Sequence, residues 1–211
     1  MCKDPPHVPV LRAAASQLPI GIVPMMDVQR ALRTVRASAK DWQLDPQRIG
    51  VLGFSAVGHL ASTATVHHAR ADPDSDDPVQ RVTSRPDFSV LVYPVITLRP
   101  PHAHMGSRRN LLGPEPTDEL LDLMSTEKQV NAQTPPTLLV HSKDDRGVPI
   151  GNSELFLAAL KQAGVQGKLL AYEKGGHGYG LGRKDTDSTA WPDECIKWFA
   201  QIGVVGQRDD E

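Results

Sequence analysis

The 211-residue sequence has only two cysteines, Cys2 and Cys195. Two thiols so far apart cannot make a disulfide framework, and neither sits in a motif that would make it a nucleophile. No apolar run approaches the roughly 20 residues needed to span a bilayer, so no membrane association is expected. The formal net charge is −2, which removes the electrostatic case for nucleic acid. There is no H-E-x-x-H or comparable cluster, so a metallo-hydrolase is not expected and no metal or cofactor is called for. The acidic loop with Asp72, Asp74, Asp76 and Asp77 lacks the glycine hinge and distal glutamate of a calcium loop. The N-terminus, Met-Cys-Lys-Asp-Pro-Pro-His, has no apolar signal region. A cytoplasmic location follows as written, and a secreted or periplasmic one if the true start lies upstream.

What remains is an ordinary globular composition, 39% hydrophobic and 23% charged, in a chain long enough for one substantial core. Five prolines in residues 1–24 predict an irregular N-terminal segment, with one short strand at Ile20–Val23. From Asp27 to Trp42 the pattern is helical. Val28, Ala31, Leu32, Val35, Ala39 and Trp42 should face inward, and Arg30, Arg33, Arg36 and Lys40 should face water. Strands are expected at Ile49–Phe54, Phe88–Val92, Thr137–His141 and Lys168–Tyr172. The first reads as buried on both faces. Helices are expected at Ala56–His68, Asp118–Met124, Asn152–Ala163 (with Leu155, Phe156, Ala159 and Leu160 inward) and Trp191–Ile202. Strands alternating with helices predict a doubly wound, mostly parallel α/β sheet over residues 25–211. The polar stretch 99–136 is too long for a plain connection and is a candidate lid.

The most informative segment is Gly53-Phe54-Ser55-Ala56-Val57-Gly58-His59-Leu60. Ser55 lies between the end of a strand and the start of a helix, the setting of a nucleophile elbow, although G-x-S-x-G asks for glycine where Val57 stands. In an open parallel sheet, function gathers at the carboxyl ends of strands. Two further strand ends carry matching chemistry: Asp144-Asp145 and then His177, in Gly175-Gly176-His177-Gly178. The order serine, acid, histidine suits a triad. His177 would take the serine proton, and either Asp144 or Asp145 would hold the imidazole. The backbone N–H of Ala56 is the natural first donor to an oxyanion.

Taken together, these segments resemble the α/β-hydrolase superfamily, and most of all the bacterial carboxylesterases and acetylxylan-esterase-like proteins that act on acylated sugars. The family elbow usually reads GFSAGGHLA. The acid loop His141-Ser142-Lys143-Asp144-Asp145-Arg146-Gly147-Val148-Pro149 resembles H-x-x-D-D-x-x-V-P, which implies Asp145 as the acid. The resemblance runs from about Pro24 to Gly203. It implies a serine carboxylic ester hydrolase with a small-molecule or carbohydrate ester as substrate. A serine peptidase of the prolyl-oligopeptidase type and a non-catalytic remnant are the competing readings. Two departures stand out. Valine at position 57 is expected to crowd the helix against the strand and reduce activity. Upstream of Ser55 there is no His-Gly-Gly or Gly-Gly-Gly motif, and residues 1–24 do not match. An N-terminally shortened hydrolase is therefore expected, with about four strands. Its Ile49–Phe54 strand would lie at an exposed edge that invites homodimer formation.

Overall fold

The computed structural model describes residues 20–206. Cys2 and most of the irregular segment expected over 1–24 lie outside the described residues. Where a strand was expected at Ile20–Val23, the chain makes a 3-10 turn over Ile20–Ile22 and enters helix α1, Val23–Ala37. Pro24 sits in the first turn of α1. There its missing N–H has no intrahelical acceptor to lose, so it starts a helix instead of breaking one.

Four parallel strands follow: β1 (Val51–Phe54), β2 (Ser89–Val92), β3 (Thr137–Ser142) and β4 (Gly167–Tyr172), hydrogen-bonded in that spatial order. Each link between neighbouring strands carries helices: α2 (Ser55–Val66), then α3 (Met105–Leu112) and α4 (Asp118–Met124), then α5 (Gly151–Gln162). Helix α6 (Trp191–Gln201) comes after β4. The fold is a doubly wound α/β-hydrolase-like sheet, and side-chain alternation sets its two faces. Val90, Val92, Leu138 and Val140 face α6, where they pack with Trp191, Cys195 and Trp198. Leu91 and Leu139 face the other way, onto Ala61 and Val66 of α2 and Phe156 and Leu160 of α5. Burial pushes the Cys195 thiol up to about 11, as befits an inert core residue. No helix among the described residues is long and apolar enough to cross a membrane.

Three expectations are corrected. Strand β1 is not buried on both faces. It is the edge of the sheet, and Leu52 is 47% exposed. Arg33 and Arg36 do not face water, because the polar loop between α2 and β2 wraps over them. Arg33 donates to the Arg70 carbonyl at 2.7 Å. Arg36 donates to the Pro46 and Thr83 carbonyls and pairs with Asp87 at 2.7 Å. The same Asp87 oxygen accepts the Ile49 N–H at 2.9 Å and so ties α1 to the approach of β1. Ala31, Trp42 and Leu155 are exposed rather than inward. Trp42 lies beyond the end of α1, where the periodicity stops having a helix to act on.

The stretch 99–136 is mostly structured. It contributes the unforeseen α3, the expected α4, and a 3-10 turn at Thr126–Gln129. Two histidines of α2 and the turn after it hold this stretch. His59 Nε2 lies 2.8 Å from the Met124 carbonyl, and His67 Nε2 lies 3.0 Å from the Leu123 carbonyl. Both carbonyls are acceptors, so each nitrogen carries the proton. Burial pushes His59 down to about 4 and His67 in the same direction. The unfolded chain then binds more protons than the folded one between about pH 6.5 and 4, so folding weakens as pH falls through that window. For His59 alone the loss is on the order of 3 kcal/mol. Urea unfolding at pH 7 and pH 4.5 should show this drop, and His59→Gln should reduce it.

Candidate active site

The strand register aligns the ends of the sheet. Phe54 pairs with Val92, and Val92 pairs with Val140. The next residues along, Ser55, Tyr93 and His141, therefore emerge side by side at the carboxyl edge, and the loops carrying Asp145 and His177 rise behind them.

Ser55 opens α2 with φ +52°, a left-handed conformation that costs a non-glycine residue on the order of 1–3 kcal/mol. The surroundings enforce it. The Ser55 carbonyl accepts the Val95 N–H at 3.1 Å, and α2 presses onto the sheet at two glycines. A Cβ on Gly53 would lie 2.4 Å from the Val57 carbonyl oxygen, and one on Gly58 would lie 2.8 Å from Pro94 Cβ. These glycines carry the close approach. Val57, expected to crowd it, points outward instead and is 59% exposed. Position 57 falls on the outer face of the first helical turn, so its Cβ never meets the strand. The expected crowding by this valine does not occur.

Ser55 Oγ is 2.8 Å from His177 Nε2, and His177 Nδ1 is 2.8 Å from Asp145 Oδ2. Gly176 and Gly178 flank the histidine at φ +64° and +74°, a turn that presents the ring towards Ser55. Asp145, not Asp144, contacts the imidazole. Asp144 instead anchors the histidine loop, because its Oδ1 accepts the Gly176 N–H at 2.8 Å. The N–H of Ala56 lies in the first turn of α2, where helical N–H groups lack intrahelical acceptors.

The Asp145 carboxylate is saturated. Oδ1 accepts the N–H groups of Gly147 and Val148 at 2.8 and 2.9 Å. Oδ2 takes His177 and also faces Nε2 of the fully buried His141 at 3.3 Å. These donors fill the roughly four acceptor positions of a carboxylate. Burial alone would raise the acid's pKa, but the hydrogen bonds from His141, His177 and Val148 outweigh it and bring the group down to about 2. His141 is fixed in turn. Its Nε2 also contacts the Val148 carbonyl at 2.9 Å, and its Nδ1 contacts Ser153 Oγ at 2.8 Å. With two acceptors at Nε2, that nitrogen must be the protonated one.

Tyr93 is a member of the site that the sequence did not single out. Its backbone is left-handed at φ +37°. Its ring meets the His177 ring edge-on, with centroids 5.0 Å apart, and its hydroxyl accepts the Gly180 N–H at 3.1 Å. The Tyr93-Pro94 pair at a strand end was the available signal. For His141 the signal was its place at the head of the acid loop.

A hydrogen-bonded Ser-His-Asp chain should make Ser55 selectively reactive towards a fluorophosphonate, read as a single adduct by mass spectrometry. Asp145→Asn leaves the imidazole in the wrong tautomer and should slow labelling by about a hundredfold or more. Asp144→Asn keeps a carbonyl acceptor for Gly176 and should slow it far less. His141→Phe, which removes one donor to Asp145, should fall between them.

Comparison with known proteins finds relatives that share this fold. A crystal structure of an acetyl ester-xyloside bifunctional hydrolase from Caldicellulosiruptor lactoaceticus superposes with a TM-score of 0.84 at 47% identity, covering 87% of this chain and 67% of that one. An acetylxylan esterase of Xylanibacter ruminicola is 36% identical over 164 residues, 76% of this chain and 32% of that protein. An endo-1,4-beta-xylanase B of Butyrivibrio fibrisolvens is 35% identical over 161 residues, 76% of this chain and 25% of that protein. The chain thus spans about a quarter to a third of the length of these two curated relatives. Residues 22–160 match the BD-FAE family, and by that match the chain belongs to the BD-FAE family of α/β-hydrolase-fold proteins.

Proposed function

We propose that the protein hydrolyses short-chain carboxylic esters, carried on acylated carbohydrates, through an acyl-enzyme on Ser55. The observation that carries this reading is the unbroken chain of contacts at 2.8 Å from Ser55 through His177 to Asp145. The carbohydrate side rests on the relatives, one named an acetylxylan esterase and another an acetyl ester-xyloside hydrolase.

In this mechanism Ser55 Oγ attacks the acyl carbon while its proton passes to His177 Nε2. The carbonyl oxygen becomes an oxyanion that accepts the Ala56 N–H, at the positive end of α2. Collapse breaks the bond between the acyl carbon and the alcohol oxygen, and that oxygen takes the proton from His177. Water then repeats the sequence on the acyl-enzyme: it gives its proton to His177, its oxygen bonds the acyl carbon, and Ser55 leaves and is reprotonated. Asp145 remains ionised throughout and holds Nδ1–H, which stabilises the imidazolium formed in each half-reaction. The exposed edge of β1 also supports pairing with a second copy of the chain.

Ser55→Ala, which keeps the Cβ and therefore the backbone strain, should abolish turnover of p-nitrophenyl acetate and release of acetate from acetylated xylo-oligosaccharides, with little change in thermal melting. Turnover that persists in Ser55→Ala would overturn the mechanism. A homodimer should be visible in size-exclusion chromatography and should weaken on Leu52→Lys.

A further inference from the structure

Beside Ser55 lies an apolar pocket of about 300 Å3, which includes Ala56, Val57 and Leu60 of α2, Leu98, Leu111 of α3 and Met124 of α4. We propose that it holds the acyl chain of the substrate ester, that it suits an acyl group of butyryl to hexanoyl size better than acetyl, and that Val57 sets the width of its mouth. The proposal rests on the ester-hydrolase reading above and adds the substrate's acyl class to it.

Three observations carry it. The first is direction. His177 delivers its proton to the departing alcohol oxygen, so the alcohol must lie on the His177 side of Ser55 and the acyl group on the other. Among the described residues, none from the loops bearing Asp145 and His177 lines this pocket; its walls come from the opposite side, from residues 21 to 124. The second is chemistry. Three of its four polar side chains are committed elsewhere, His59 to the Met124 carbonyl, the Thr63 hydroxyl to the Leu60 carbonyl and Ser107 to His104, and Asn110 is the fourth. Among the described residues, no charged side chain lines it. A sugar would bring more hydroxyls into such a wall than the Asn110 amide can partner, whereas a hydrocarbon chain loses little there and sheds water. The third is size. Its volume reaches the lower end of the range, on the order of 300–1,000 Å3, in which small-molecule sites fall, and the methyl of an acetyl group would leave most of it unfilled.

Val57 stands at the mouth with 59% of its surface exposed, and although its backbone carbonyl lies against Gly53, its side chain has no part in the close approach of α2 to the sheet. Its side chain therefore has no packing duty in the described fold and is left facing whatever enters beside Ser55.

The test is the ratio of kcat/KM for p-nitrophenyl hexanoate over p-nitrophenyl acetate. In the unaltered protein this ratio should exceed about ten, since methylenes in an apolar site discriminate by roughly 10–200-fold. Leu60→Trp, which fills the pocket from a half-buried position, should lower the ratio at least tenfold. Val57→Gly, which widens the mouth, should move the preference towards octanoate. Thermal melting checks that each variant folds. If Leu60→Trp does not, the exposed Val57 position still decides the matter. A ratio that is the same in all three proteins, with Ser55-dependent turnover of acetate intact, overturns the pocket assignment alone. Absence of Ser55-dependent turnover on every ester overturns the hydrolase reading, and the pocket assignment with it.

Discussion

Helix α2 approaches the sheet more closely than a side chain permits, and the geometry of the site follows from that contact. Gly53 admits the helix backbone at the end of β1, and Gly58 admits Pro94 one helical turn later. With the helix held so near, the chain has too little length to leave the strand gradually. Ser55 must turn at once, which is why it adopts a left-handed conformation. Strain of this kind persists only where packing on both sides over-determines it. Here the packing comes from Pro94 above and from the buried face of α2 on Leu91 and Leu139 below.

The histidine side of the site is built by a different principle, hydrogen-bond saturation. Asp145 is anchored by two backbone N–H groups and by the buried His141, so its second oxygen has a fixed direction in which to meet His177. Asp144 fixes the loop and Tyr93 supports the ring. Two adjacent carboxylates thus do separate work, one on a side chain and one on a backbone. A low-dielectric setting strengthens such fully satisfied networks and penalises partly satisfied ones.

Much of this was legible in the sequence. Ser55, Asp145 and His177 each follow an apolar strand, and in a parallel sheet strand ends converge by construction. The four strands and most helices could be read from apolar runs and their periods. What could not be read depends on partners distant in sequence. The arginines of α1 repeat as a water-facing stripe would, yet most of the carbonyls that bury Arg33 and Arg36 belong to a loop more than thirty residues away. Tyr93 and His141 are unremarkable until the register sets them beside Ser55. The outward direction of position 57 is hidden because a motif letter says which residue is usual, not which way its Cβ points.

That outward-pointing Cβ has a wider consequence. Residues that shape a binding site are often also core residues, so a change of preference passes through a loss of stability and needs compensation elsewhere. At position 57 the two demands are separated. The helix that presents the nucleophile is held by its glycines, and the valine side chain in its first turn is free of that duty. Selection or engineering can therefore vary this position without first drawing on the stability margin of the fold, which makes it a natural starting point for divergence within this scaffold.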